Sequence, residues 1–348
     1  MLKKAKQAAL SSLKVSGAFT VVHNSKWRRQ RLLILAYHGI SISDEHLWNG
    51  SHFISADLFR ERLQLLKTSR CAVLPLGEAV ERLYANDLPD RAVAITFDDG
   101  TADFYSRAFP LFNEFDFPVT LYLTTFYSHY QKPIFDLMSS YLLWQGRSET
   151  LNLREFTGRE AVINLADPNA RDAASVEMRT FARERKLTAE EKDALLASLA
   201  AHLKVDYDAL IEKRALHILN PAEVGKLASH GVDIQLHTHR HRTPLDRDLF
   251  IREIEDNRKS INDMTGQPAS HFCYPSGVYE PQFLPWLKEA GVVSATTCDI
   301  GLATADSNPL LLPRLLDVSS LSGVEFEGWL TGLSAALPQR NRSERRIA

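Results

Sequence analysis

Strand-like and helix-like segments alternate along most of this 348-residue chain, and that alternation restricts it to a few folds. A continuous apolar run over residues 32–37 and largely apolar runs over 93–97 and 119–123 read as strands. Residues 59–66, 76–83 and about 103–115 read as helices. Further on, 221–230 has proline near its first turn and Gly231 just past its end, a helix with both punctuation marks in place. The pattern continues with a strand over 233–236. Next comes helical spacing of Phe250, Ile251, Ile254, Ile261 and Met264 that stops at Gly266. A strand over 271–274, a helix over 282–290 and a strand over 292–297 complete it. Repeated β–α units of this kind imply a mostly parallel sheet with helices outside.

Two of these runs end in groups able to do chemistry. Ala94-Ile95-Thr96-Phe97 leads into Asp98, Asp99 and Gly100, the reading of a buried strand that delivers two carboxylates to the rim of a sheet. Downstream, the 233–236 strand runs into His237-Thr238-His239-Arg240-His241, with two imidazoles four residues apart. One carboxylate and two histidines make a three-ligand site with an open position, where a divalent ion binds water and substrate. The other carboxylate is left free as a base. With no competing thiolates, the donor set points to zinc. Taken alone, an Asp-Asp-Gly triplet is more often a turn. Isolated histidines such as His46, His52, His129, His202, His217, His230 and His271 read as surface or satisfied core residues. Joint occurrence, each motif after its own apolar lead-in, argues for the site.

These motifs resemble those of the polysaccharide deacetylases, the NodB-homology family of sugar N-deacetylases. Thr96 to Gly100 match its Thr-Phe-Asp-Asp-Gly motif without change, and His237, Thr238 and His241 match His-(Ser/Thr)-x-x-His. The resemblance implies Asp98 as general base and Asp99, His237 and His241 as metal ligands. It also implies an irregular, incomplete (β/α)7-type barrel, with catalytic groups at the C-terminal ends of the strands. Two departures stand out. The third motif reads Phe272-Cys273-Tyr274-Pro275-Ser276-Gly277, so Cys273 stands where an arginine normally precedes the turn. The Leu-x-His motif that usually supplies the general acid near the C-terminus is missing, since no histidine follows His271.

Both departures fit a circularly permuted branch similar to poly-N-acetylglucosamine deacetylases, in which an N-terminal Tyr-His strand replaces the C-terminal one. By that resemblance His38, in Tyr37-His38-Gly39, is the general acid, and the backbone N–H of Ser276 donates to the oxyanion. Arg314 either restores the missing arginine or is an ordinary surface residue. Tyr274, Pro275, Gly277 and Arg314 are expected to bind substrate.

Around this core, 1–30 is read as a basic leader and 331–348 as a basic tail carrying Arg340, Arg342, Arg345 and Arg346. Residues 31–130 and 216–330 form the barrel, and 131–215 a helical insertion that contains the capping box Thr188-Ala189-Glu190-Glu191. The insertion is a structural elaboration or a substrate lid. The termini read as a solvated leader helix and a frayed tail, with weak attraction to anionic membrane surfaces as the sharper option. A net charge of −2 argues against nucleic acid as partner. No run of about 20 apolar residues offers a transmembrane segment. Three scattered cysteines and no clear signal peptide point to the cytoplasm. The expected activity is metal-dependent N-deacetylation of an N-acetylhexosamine glycan, releasing acetate and a free amino sugar. The alternatives are an amidohydrolase on a non-polymeric or lipid-linked amide, such as a formamido sugar, and a non-catalytic glycan-binding protein.

Overall fold

A computed structural model describes residues 2–336 of the chain. Seven strands form a barrel: β1 (Leu33–Tyr37), β2 (Ala92–Phe97), β3 (Thr120–Leu123), β4 (Asp233–Leu236), β5 (His271–Cys273), β6 (Ser294–Ile300) and β7 (Leu312–Leu316). Each pairs in parallel with the next. β7 pairs with β1 through Leu35 and Leu315, so the ring closes. One register shift, between β6 and β7 at Thr296 and Ile300, makes it irregular. It is a closed seven-strand α/β barrel, one strand short of the full eight.

Strand alternation sorts the side chains into two layers. Leu33, Leu35 and Tyr37 of β1 and Val93, Ile95 and Phe97 of β2 face outward. There they meet Phe59, Leu63 and Leu66 of the helix Ala56–Thr68 and Phe112 of the helix Phe109–Phe115. Ile34, Ala92, Ala94, Tyr122, Cys273 and Leu312 face inward, and the helix Leu76–Tyr84 packs against this inner set. Continued one step past the strand ends, the inward phase reaches His38, Asp98 and His237. The fold therefore points one residue from each of three strands at a common rim.

The insertion has its own apolar cluster, around Met138, Leu142, Met178, Leu196 and Leu199. Thr188 and Glu191 form the expected capping box on the helix Ala189–His202. The segment is not helical throughout: Thr150–Asn152 and Val162–Asn164 pair as antiparallel strands. Phe53 joins the same cluster, Trp48 packs at its edge, and Tyr141 and Gln145 hydrogen-bond Asp44. The insertion is thereby fastened to the loop that follows β1.

The leader is solvated on one face and docked by the other. Its helix Leu2–Val15 buries Leu10 and pairs Lys14 with Glu327 of the helix Gly323–Thr331. Phe19 is also buried, and the enclosed Arg28 guanidinium donates to the carbonyls of Leu330, Arg31 and Ala92. Amphipathic patterning hid this, because lysines at the edges of a docked face look the same in sequence as lysines on a free helix. No helix among the described residues is long and apolar enough to cross a membrane. The tail arginines Arg340, Arg342, Arg345 and Arg346 lie outside the described residues.

Candidate active site

Asp98 continues the inward phase of β2, whereas Asp99 by alternation would point away. The backbone corrects this: Asp99 takes a left-handed φ of 71° and Gly100 one of 80°. A Cβ at Gly100 would lie 2.3 Å from Leu123 Cδ1, so the turn that brings both carboxylates to the rim needs glycine there. Thr238 and His241 are also left-handed, with φ of 59° and 54°. In both motif loops this left-handed backbone breaks the strand alternation that would turn neighbouring side chains to opposite faces.

Asp99, His237 and His241 converge. Their candidate ligand atoms lie within 4.8 Å of one another. Asp99 Oδ1 is 3.1 Å from His237 Nε2 and 3.2 Å from His241 Nε2. His237 Nδ1 meets the carbonyl of Cys273 at 2.9 Å, which fixes the tautomer that leaves Nε2 free to ligate. Burial would raise the Asp99 carboxyl, but its bonds to the two imidazoles hold it well below the usual range. A carboxylate and two imidazoles with no thiolate suit a borderline cation such as zinc, and the pre-set tautomer fits that use.

The helix Arg247–Thr265 shapes the histidine loop. Asn257 accepts from His237 N–H at 2.9 Å and donates to the Leu123 carbonyl and Thr125 Oγ1. Glu253, buried four residues earlier, accepts from Arg240 N–H and from the side chains of Arg240 and Arg242. Both residues were missed in the sequence. Their signal was two polar side chains, i and i+4, set within the apolar spacing of Phe250, Ile254 and Ile261.

Arg314 is an interior residue, 1% exposed, and it grips Asp98 with two bonds of 2.8 Å. It also donates to the Thr297 carbonyl at 3.0 Å and Thr96 Oγ1 at 3.1 Å. Approaching from β7, it reaches the carboxylate that an arginine at position 273 would hold, and its guanidinium is enclosed, not open to solvent. Cys273, buried between Arg314 and Asp98, has its thiol pushed well up by burial and stays protonated. Burial likewise pushes the Asp98 carboxyl up, but the Arg314 charge and bonds win and hold it below the usual range.

On the open side of Asp98, His38 Nε2 stands 3.8 Å from Oδ2, with 16% of its side chain exposed. It lies on the same end of the barrel as the carboxylates and outside the ligand cluster. His52, read from sequence as a background histidine, lies against it with ring centroids 4.9 Å apart. Open at one edge yet crowded by neighbouring atoms, its imidazole is pushed down to about 4 by desolvation, with the His38 charge adding to the effect. It is therefore neutral beside His38. Only the closure of the loop after β1, through the pairing of Gly39–Ile40 with Phe53–Ile54, brings it there.

Ser276 sits exposed on the turn Pro275–Gly277 after β5, with a left-handed φ of 57°. The Tyr274 side chain does not line the site: it is buried in the outer layer, and its hydroxyl donates to the Leu310 carbonyl. Pro275 is buried, and a Cβ at Gly277 would strike Cys298. Of this turn, only Ser276 presents itself to an incoming molecule.

Comparison with known proteins agrees with this arrangement. The sequence profile of the polysaccharide deacetylase family matches residues 85–156 and 194–295, half of the chain. The matched stretches contain both carboxylates, His237 and His241 and the 274–277 turn, while His38 and Arg314 fall outside them. YxkH of Bacillus subtilis (strain 168), assigned by name to the polysaccharide deacetylases, is 25% identical over 119 residues. That match spans 34% of this chain and 43% of YxkH, less than half of the relative's length. Among solved structures, the Streptococcus pyogenes deacetylase PplD in complex with acetate superimposes with a TM-score of 0.56 at 20% identity, covering 88% of this chain and 99% of PplD. IcaB from Ammonifex degensii gives 0.55 at 17% identity, covering 87% and 97%. At such identities the likeness is one of fold. The profile match, with its motif residues gathered at one rim, carries the assignment: this chain belongs to the polysaccharide deacetylase family.

Proposed function

We propose that this chain hydrolyses the acetamide of N-acetylhexosamine units in a glycan, releasing acetate and a free amino sugar. The observation that carries the reading is the division of labour at the rim. One carboxylate, Asp99, is joined to two imidazoles, while the other, Asp98, is held by Arg314 and faces His38.

Asp99, His237 and His241 would hold a divalent cation, with zinc the best match to the donor set; when bound, it polarises the acetamide carbonyl and lowers the pKa of water. Asp98 accepts the proton of the attacking water as its oxygen bonds to the carbonyl carbon. The Arg314 charge and bonds hold this carboxyl below the usual range, which favours the charged form that a base needs. The N–H of Ser276 stabilises the oxyanion, an effect worth about 3 kcal/mol for a well-placed donor. His38 gives its proton to the nitrogen as the C–N bond breaks. The acid formed releases its remaining proton to solvent and leaves as acetate, the molecule found with PplD, and the proton held by Asp98 passes back to His38.

The test is release of acetate and free amine from N-acetylglucosamine oligomers, with and without added zinc. Zinc-dependent release of both products in equal amounts supports the reading. Absence of release from zinc-loaded protein on every oligomer contradicts it.

A further inference from the structure

In the reaction proposed above, Asp99, His237 and His241 hold the cation, Asp98 takes a proton from water, and the Ser276 N–H and His38 donate. The acetamide has an N–H of its own, which none of these groups accepts. As the nitrogen becomes tetrahedral its lone pair must point at His38, and the direction of the N–H decides where that lone pair points.

His52 stands where such an acceptor is needed. Gly39 N–H, next to His38, donates to the His52 carbonyl at 2.9 Å, and Gly39 pairs with Phe53. One residue back along both segments, the two histidines are neighbours, with ring centroids 4.9 Å apart. The turn before His52 is pinned by Ser319 N–H, which donates to the Gly50 carbonyl at 2.9 Å. The His52 side chain is open to solvent, and the charges of Asp98, Asp99 and His241 reach its ring.

Hydrogen bonds within the turn fix which nitrogen accepts. The Ser51 hydroxyl gives its single proton to Asn49 Oδ1, 2.7 Å away. Toward His52 Nδ1, at 3.2 Å and 3.3 Å, Ser51 Oγ and Asn49 Oδ1 both offer lone pairs. The ring proton of the neutral imidazole therefore sits on Nδ1. Nε2, on the ring edge away from this turn, is left as an acceptor.

We propose that His52 is a further substrate-contacting residue, whose Nε2 accepts a hydrogen bond from the acetamide N–H and so aims the nitrogen lone pair at His38. The proposal rests on the function proposed above and deepens it, because it makes the site selective for an N-acetyl group over an O-acetyl ester. An ester has no N–H to offer, and its oxygen would set a lone pair against that of Nε2.

The test compares His52→Phe, which keeps a ring against His38 but has no acceptor, with His52→Gln, whose side-chain oxygen reaches about as far as Nε2. For zinc-loaded protein, kcat/KM is measured on the N-acetylglucosamine oligomer. It is also measured on two methyl glycosides that differ only in a 2-acetamido or a 2-O-acetyl group. His52→Phe should lose roughly tenfold on the oligomer, and its preference for acetamide over ester should fall by the same factor, the worth of one hydrogen bond. His52→Gln should recover most of both. Parental kcat/KM in folded His52→Phe, equal losses on amide and ester, or a His52→Gln no better than His52→Phe overturns the proposal and leaves the reaction itself standing. A parent protein that releases no acetate from any oligomer removes the reaction, and this role of His52 with it.

Discussion

At the scale of single residues, two carboxylates adjacent in sequence stand in different surroundings. Asp98 is 2% exposed and clasped by Arg314, while Asp99 faces two imidazoles. His38 completes the set, and its placement makes a sharp prediction. His38→Ala should lower kcat by about two to four orders of magnitude, the usual worth of a general acid. Zinc content, measured on the same preparation, should stay at the parent level. Loss of zinc together with activity would show that His38 belongs to the ligand cluster. Much of this was legible in the sequence, because period-2 alternation carries His38, Asp98 and His237 to the inner face once three strands are recognised. Arg314 was half legible. Its residue type fitted the missing partner of Asp98, but only the closed ring, with β7 beside β1, shows that it reaches the carboxylate. His52 was not legible, since a loop of irregular backbone brings it back over His38, and no periodicity describes such a path.

At the scale of elements, the histidine loop is shaped less by its own sequence than by the helix Arg247–Thr265. That helix starts at Asp246, whose side chain accepts from Leu249 N–H, and ends at the left-handed Gly266. Apolar spacing located it to within a few residues. What spacing could not tell is that Glu253 and Asn257 face inward as fully bonded polar groups, because a buried polar residue breaks the pattern in the same way an exposed one does. Asn257→Leu keeps the volume and removes the bonds to the His237 backbone and to the end of β3. Zinc affinity, measured by competition with a chelator, should fall about 10- to 100-fold, as for other groups that orient a ligand. Unchanged affinity in a folded variant would mean that the loop holds its own shape.

At the scale of the whole molecule, the barrel is bound by contacts between segments far apart in sequence. The leader packs on the helix Gly323–Thr331, and the insertion grips the loop after β1. Asp103 joins the loops after β1 and β2: its buried carboxylate accepts from Ile40 N–H at 2.7 Å. Burial raises its pKa from 3.8 to about 7, against the opposing pull of that bond. A folded value above the unfolded one favours the fold fully at low pH, and the advantage is lost as pH rises through the folded value. The stability of the parent relative to Asp103→Asn should therefore decline from about pH 4 to about pH 7 and then level off. Chemical denaturation of both proteins across that range measures the difference, and a gap independent of pH would contradict the assignment.

The claim that joins all three scales is that neighbouring carboxylates divide base and ligand between them. Asp98→Asn protein, assayed for bound zinc and for acetate release from an N-acetylglucosamine oligomer in one preparation, tests it most directly. The expected result is one zinc per chain, as in the parent, with acetate release abolished, whereas His241→Ala loses both. Zinc lost from Asp98→Asn, or acetate still released at the parental rate, would contradict it.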